Sequence, residues 1–176
     1  MVTPRHSVPL EKARSIRLIL SDVDGVMTDG RIIYDNSGIE TKSFHVRDGL
    51  GIKLWQRAGY SFGIITTRTS EIVRLRAAEL GISIVRQGAA NKWTAAQEIL
   101  TALQIDPEET CYVGDDLPDL EVMRRIALPV AVADAAEDVR RAATWTTRME
   151  GGRGAIRELI ESLLKAKAQW EDFISF

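Results

Sequence analysis

Asp22 and Asp24 stand two residues apart in Asp22-Val23-Asp24-Gly25-Val26, directly after the apolar run Ile16-Arg17-Leu18-Ile19-Leu20. An Ile- and Leu-rich run closed by a glycine reads as a buried parallel strand. Acids at its carboxyl end lie where open α/β sheets bind their ligands. Two carboxylates this close repel unless a cation or a shared proton relieves them. A lone Asp-x-Asp-Gly fits a solvated turn equally well, but three further strand ends carry complementary groups. Phe62-Gly63-Ile64-Ile65 leads to Thr66. Val85 is followed by Gln87-Gly88 and, near a helix start, Lys92. Tyr112-Val113 leads to Gly114-Asp115-Asp116, with Asp119 three residues on. If these strands are parallel in one sheet, a candidate nucleophile, a hydroxyl, an ammonium and a second acidic cluster converge at one edge.

Such a set suits phosphoryl transfer. A carboxylate can attack phosphorus and form an aspartyl-phosphate. Mg²⁺, held by one or two carboxylates and several waters, offsets the approach of two anions. A lysine and a hydroxyl can hold the remaining phosphate oxygens. A second Asp, two residues beyond the nucleophile, can protonate the leaving alkoxide and later activate water.

The elements that must position these groups follow from the pattern. The chain has 176 residues, 45% apolar and 27% charged, which suits one domain with a sizeable core. A net charge of −2 supplies no global field for nucleic acid or an anionic membrane. The single cysteine, Cys111, lies in an apolar run and reads as a buried thiol. No apolar stretch reaches the roughly 18 residues that span a bilayer, and no signal-peptide pattern opens the chain, so a cytoplasmic location is expected. Residues 1–15 read as a loose N-terminal arm, 16–168 as the folded domain and 169–176 as a C-terminal tail. Within the domain, Asp35-Asn36-Ser37-Gly38 between two β-prone runs predicts a β-hairpin at about 30–46. Ile32, Ile33, Tyr34, Ile39 and Phe44 are too apolar for a free flap, so the hairpin is expected to be buried against something. Beyond it, strands near 60–66, 82–85, 110–113, 128–132 and 144–147 alternate with helices. That alternation predicts a Rossmann-like α/β fold, three layers with a mostly parallel sheet covered on both faces.

The ordered set Asp22-Val23-Asp24, Thr66, Lys92 and Gly114-Asp115-Asp116 resembles the four motifs of the haloacid dehalogenase superfamily. More narrowly, Asp22 to Gly30 (DVDGVMTDG), Phe44 to Gly51 (FHVRDGLG), Ile64 to Ser70 (IITTRTS), Gln87 to Lys92 (QGAANK), Gly114 to Asp119 (GDDLPD) and Gly151 to Glu158 (GGRGAIRE) resemble the 3-deoxy-D-manno-octulosonate 8-phosphate phosphatase family. The match spans roughly residues 16–165. The resemblance implies that Asp22 is the nucleophile and Asp24 the general acid/base, and that Thr66 and Lys92 bind phosphate. Mg²⁺ would be held by Asp22, the Asp24 backbone carbonyl and Asp115, with Asp116 nearby. Arg47 and Arg68 would meet the sugar carboxylate, with Asp48 also on the substrate side. The hairpin replaces a separate cap domain, and family members form a homotetramer in which hairpins pack together and neighbours wall the site. The resemblance also suggests a C-terminal tail closing over an active site, a neighbour's included. One position departs from the pattern. Thr67 stands where the family usually has Gly, so either the loop needs no positive φ there or its geometry differs.

The leading expectation is therefore a Mg²⁺-dependent phosphatase of an acidic keto-sugar phosphate, feeding lipopolysaccharide synthesis. The alternatives are a phosphatase of a nine-carbon, sialic-acid-like phosphate and a non-catalytic oligomerisation module related to cytidylyltransferase C-terminal domains. All four motif positions are intact and no nucleotidyltransferase is attached, which disfavours the module. Neither a G-x-x-x-x-G-K-[ST] loop nor a G-x-G-x-x-G after a strand supports nucleotide binding.

Overall fold

The computed structural model describes residues 9–175. Six strands form one sheet: β1 (Leu18–Ser21), β4 (Ser61–Ile65), β5 (Ile84–Arg86), β6 (Thr110–Gly114), β7 (Leu128–Ala131) and β8 (Trp145–Thr146). Their order is β5-β4-β1-β6-β7-β8 and every pairing is parallel. The expectation of a mostly parallel, Rossmann-like sheet is met. β1 is buried along its whole length, as a strand of near-continuous Leu and Ile must be when helices cover both faces.

The chain builds outward from β1 through β4 to β5, then returns to lay β6 on the other side of β1. That reversal opens a crevice at the carboxyl end of β1, the usual ligand position in such sheets. Leu20 lies beside Gly63 on one flank and Tyr112 on the other, so Asp22, Thr66 and Asp115 emerge from three adjacent strands.

The helices fall into two groups. α1 (Leu10–Ser15), α2 (Val46–Arg57) and α7 (Ala155–Ala166) pack together, with α3 (Glu71–Leu80) beside α2. α4 (Lys92–Leu103), α5 (Leu120–Met123) and α6 (Glu137–Ala142) form the second group. α7 buries Ile156, Leu159, Ile160, Leu163 and Leu164. These positions recur at helical spacing and form one apolar stripe. α3 ends at Gly81 in the left-handed conformation, and the Asn91 side chain caps α4 through the Thr94 N–H. Ser70 precedes α3 but makes no cap bond. Its hydroxyl is used elsewhere, as described below.

Two terminal expectations change. Residues 10–15 are helix rather than loose arm: Ala13 is fully buried, Lys12 donates to the Ala127 carbonyl, and Arg14 donates to that of Ala166. The remainder of the expected arm, residues 1–8, lies outside the described residues. At the other end, Trp170 is buried and Gln169 accepts the Tyr60 hydroxyl, so the tail folds back on its own domain. α7 begins beside the loop after β1, where the Gly152 N–H donates to the Val26 carbonyl. It ends beside α1, which leads into the start of β1. Twelve helical residues span about 18 Å, so the tail begins near the opposite end of the sheet from the crevice.

The hairpin is present as β2 (Ile33–Tyr34) and β3 (Glu40–Thr41), antiparallel, with Ile33 opposite Thr41 and Tyr34 opposite Glu40. Phe44 packs against the core beneath the Arg76 guanidinium. Ile32, Ile33, Tyr34 and Ile39, in contrast, are exposed in the single chain. Nothing among the described residues of the subunit buries them.

Candidate active site

Lys92 is the first residue of α4, and its ammonium reaches into the crevice. It lies 2.7 Å from Asp22 Oδ2 and 2.6 Å from Asp119 Oδ1. Asp22 Oδ1 accepts the Val23 N–H at 2.7 Å. Asp119 is fully buried and fully used: Oδ1 also accepts the Tyr112 hydroxyl at 2.6 Å, and Oδ2 accepts the backbone N–H groups of Asp115 and Asp116. Burial disfavours the Lys92 ammonium, but the two carboxylates more than offset this and raise its pKa. The same burial pushes the Tyr112 hydroxyl well above its ordinary value, so it stays a donor.

Asp115 completes the cluster. Asp22, Asp115 and Asp119 each place a carboxylate oxygen within 4.8 Å of the others. Because Asp119 has no acceptor capacity left, Asp22 and Asp115 are the two carboxylates able to hold a cation. Asp115 Oδ1 is buried without a hydrogen-bond partner. Desolvation raises Asp115 to about 8, with Asp22 and Asp119 adding repulsion. Desolvation likewise raises Asp22 to about 6, against the pull of Lys92. An orphaned oxygen among crowded, hard carboxylate donors fits a divalent cation of the Mg²⁺ class. Glycine permits the approach: Gly25 sits at φ +90°, and a Cβ there would lie 2.0 Å from Asp115 Oδ2.

Asp24 lies on the other side of the loop. Its Oδ1 is bonded by the Lys42 ammonium from the hairpin, and Arg68 Nε is 3.8 Å from its Oδ2. Arg68 also donates to Glu40 Oε1 at 2.7 Å, and the Ser70 hydroxyl donates to Glu40 Oε2 at 2.6 Å. Thr66 is buried just past β4, and its hydroxyl accepts the Arg68 N–H at 3.3 Å. Thr67 is exposed and has no positive φ, the only such non-glycine residues among those described being Gln104 and Ala168. The loop therefore accommodates a β-branched side chain where a glycine was expected.

Comparison with known proteins decides the family. Residues 69–159 match the haloacid dehalogenase-like hydrolase family. The chain is 45% identical over 163 residues to 3-deoxy-D-manno-octulosonate 8-phosphate phosphatase from Escherichia coli (strain K12), covering 93% of this chain and 87% of that protein. The chain belongs to the 3-deoxy-D-manno-octulosonate 8-phosphate phosphatase family of haloacid dehalogenase-like hydrolases. Among solved structures, the Yersinia pestis phosphatase superposes with a TM-score of 0.91 at 44% identity, covering 92% of this chain and 88% of that one. The Moraxella catarrhalis phosphatase, in complex with a magnesium ion, a phosphate ion and KDO, gives a TM-score of 0.92 at 42% identity, covering 94% of this chain and 95% of that one. The protein is thus a phosphatase, a phosphoric monoester hydrolase.

Three residues expected at this phosphatase site are placed differently. Asp116 is exposed and spends its side chain capping the turn at Leu117, outside the acidic cluster; the buried acid is Asp119. Asp48 is buried against α7, where Oδ1 accepts the Arg157 N–H at 2.8 Å. It caps the first turn of a helix whose own N-cap, Gly154, has no side chain to do so. Burial raises the pKa of Asp48. Arg47 is exposed on a cleft with Arg148, Arg153 and Arg157, and none of Asp22, Asp24, Thr66 or Lys92 lines that cleft. Arg68 is near Asp24 but already paired with Glu40. His45 caps α2 through the Arg47 N–H, and the Cys111 thiol is buried and inert. The pattern missed Tyr112 as a site residue, although a buried tyrosine needs a partner for its hydroxyl. It also missed Glu40 and Lys42, which strand alternation places on one face of the hairpin.

Two outcomes follow. Asp22 and Asp115 have folded pKa values of about 6 and about 8, above the ordinary 3.8. The folded metal-free protein therefore binds more protons than the unfolded chain across this window. Its stability, full below the ordinary value, is expected to fall as pH rises from about 4 to 8 and then level off. Millimolar Mg²⁺ is expected to remove that fall in melting scans, whereas a metal-free melting temperature rising across pH 5 to 8 would contradict the cluster. Second, Asp48→Ala is expected to cost about 1 kcal/mol of stability through the lost cap, with KM for the phosphate ester unchanged. A many-fold rise in KM without loss of stability would return Asp48 to the substrate side.

Proposed function

We infer that the protein hydrolyses 3-deoxy-D-manno-octulosonate 8-phosphate to the free sugar acid and phosphate through an aspartyl-phosphate on Asp22. The observation that carries this reading is the Asp22 carboxylate, fixed at the switch point between the Lys92 ammonium and the Val23 N–H, with Asp24 two residues beyond. Likeness along nearly the whole chain to phosphatases named for this substrate supports the choice of sugar. Asp22, Asp115 and the Asp24 carbonyl would hold Mg²⁺, which would supply charge neutralisation for the phosphoryl oxygens.

The chain's own residues divide the remaining work. Lys92 and the Thr66 hydroxyl hold phosphate oxygens and orient the ester for in-line attack. Asp22 bonds to phosphorus as the ester P–O bond breaks, and Asp24 gives its proton to the departing oxygen. Asp24 then takes a proton from water, whose oxygen displaces phosphate from Asp22. Asp119 touches neither reactant. It holds Lys92, the Tyr112 hydroxyl and the backbone of Asp115 in place. Arg68 is the side chain suited to the sugar carboxylate, because a guanidinium binds carboxylates bidentately. It would exchange its pairing with Glu40 for the substrate.

The working form is a homotetramer joined through the hairpins. Four exposed apolar residues on two short strands and their flanks support this, since an isolated hairpin is marginal in water and needs a surface to cover it. A cytoplasmic location and a role in lipopolysaccharide precursor synthesis complete the reading.

Phosphate release is the direct test. Asp22→Asn is expected to lower turnover of the eight-carbon substrate by at least about 10³-fold, as loss of a nucleophile does, and EDTA to abolish it reversibly. Faster turnover of the nine-carbon ester would keep the mechanism and change the sugar. No turnover of either would favour another phosphate ester, or the oligomerisation module. Light scattering at micromolar concentration is expected to give four copies, and a monomer would remove the proposed assembly.

A further inference from the structure

The hairpin delivers two charges to the reaction edge that the roles above do not use, a buried Lys42 and a half-buried Glu40. Lys42 belongs to a segment whose other side chains are largely exposed, yet its own side chain is only 1% exposed. Its ammonium bonds Asp24 Oδ1 and lies 3.5 Å from Glu40 Oε1. A lysine at the surface gains most by keeping its ammonium in water. Turning it inward is favourable only where carboxylates replace that water. Glu40 makes the inward position rigid. Its two oxygens receive the Ser70 hydroxyl and the Arg68 guanidinium, both from the segment after β4. The Ser70 bond, ahead of those charges, also holds the Glu40 carboxyl below its usual range, so it remains an anion. The second Asp24 oxygen is buried with no hydrogen-bond donor. One oxygen of Asp24 is therefore tethered, and the other accepts no hydrogen bond, with Arg68 Nε 3.8 Å away.

We propose that Lys42 is a positioning residue for the acid–base step, holding Asp24 by Oδ1 so that Oδ2 faces the ester oxygen, with Glu40 clamping the hairpin that carries Lys42 to Arg68 and Ser70 of the loop after β4. This role rests on Asp24 being the proton donor and acceptor, as in the function proposed above. In the first half-reaction the Asp22–phosphorus bond forms, the ester P–O bond breaks, and the proton on Asp24 passes to the departing alkoxide. Asp24 is left as a carboxylate, and the adjacent Lys42 ammonium offsets the charge that appears there. In the second half a water oxygen bonds to phosphorus, its proton returns to Asp24, and the bond to Asp22 breaks. Lys42 contributes where a charge develops on Asp24, and not to the binding of phosphate.

This role has a signature that a mere structural tie lacks. A departing alkoxide needs the proton, whereas p-nitrophenolate leaves without one. Since kcat/KM reports steps only through the first irreversible one, it isolates the departure of the ester oxygen. Lys42→Met and Lys42→Arg would be compared with the unchanged protein, at saturating Mg²⁺, on a sugar phosphate and on p-nitrophenyl phosphate. Lys42→Met is expected to lower kcat/KM for the sugar phosphate by about 10²-fold, the lower end of what general acid catalysis supplies. For the aryl ester the change is expected to stay within about threefold, because p-nitrophenolate departs without the proton that Asp24 delivers. Lys42→Arg, which keeps the charge, is expected to recover much of the loss. Equal loss on both esters would make Lys42 a structural tie, and no loss on either would make it a spectator; both overturn the proposal. Asp24→Asn on the same two esters separates the role of Asp24 from that of Lys42. If it shows no greater loss on the sugar phosphate, the acid–base role of Asp24 fails first and that of Lys42 falls with it. If it does, the Lys42 variants decide the matter alone, and any alkyl phosphate turned over serves, whichever sugar is preferred.

Discussion

Lys92 places a buried ammonium 2.7 Å from Asp22 and 2.6 Å from Asp119. A desolvated charge of this kind is tolerated only while its partners stay in place, and removing one partner costs several kcal/mol. Three elements are tied through it: β1 through Asp22, the loop after β6 through Asp119, and α4 through Lys92 itself. Asp119 extends the tie to Tyr112 and to the backbone carrying Asp115. The charge count, however, does not close. Three carboxylates face one ammonium, and the raised pKa values of Asp22 and Asp115 express that excess. The scaffold is thus poised for one more cation, at the point where an anionic ester must approach an anionic nucleophile.

The backbone makes this crowding possible. A Cβ at Gly25 would collide with the Asp115 carboxylate, and one at Gly151 would lie 1.8 Å from the Gly25 carbonyl oxygen. The loop after β1 is therefore pressed between the loop after β6 and the turn that starts α7. Asp48 then secures that turn from α2. A residue outside the acidic cluster thus fixes the helix that closes one side of the loop bearing Asp22 and Asp24.

The hairpin divides its two faces between different tasks. Inward, Glu40 and Lys42 join the charged groups around Asp24. Tyr34, directly opposite Glu40, shares that face and its hydroxyl accepts the Arg68 guanidinium, while Ile33 and Ile39 lie on the other face; all three, with Ile32, remain exposed. Patches of this kind on a small domain mark surfaces meant to be covered. A covered hairpin would be a rigid one, and rigidity at Glu40 and Lys42 is what an aimed Asp24 requires. Assembly and chemistry then share one short element, which stands where a separate cap domain would otherwise shield the site.

The sequence by itself determined the parallel α/β sheet, most element boundaries and the convergence of Asp22, Asp24, Thr66, Lys92 and Asp115. These follow from periodicity and from the position of polar residues just past apolar strands, both of which are local. It also marked the hairpin as apolar, because apolar content is legible without coordinates. Only the tertiary structure decided which acid of the Asp115-Asp116…Asp119 cluster is buried, because three near neighbours in sequence differ by the direction each side chain takes out of a tight turn. It alone moved Asp48 to the cap of α7, across 109 positions of chain, and left Arg47 on a separate cleft. It alone brought Lys42 to Asp24, since a hairpin's strand pattern tells which side chains share a face but not what that face meets. Side-chain direction and long-range contact depend on how elements pack, and packing is a property of the whole chain rather than of any motif within it.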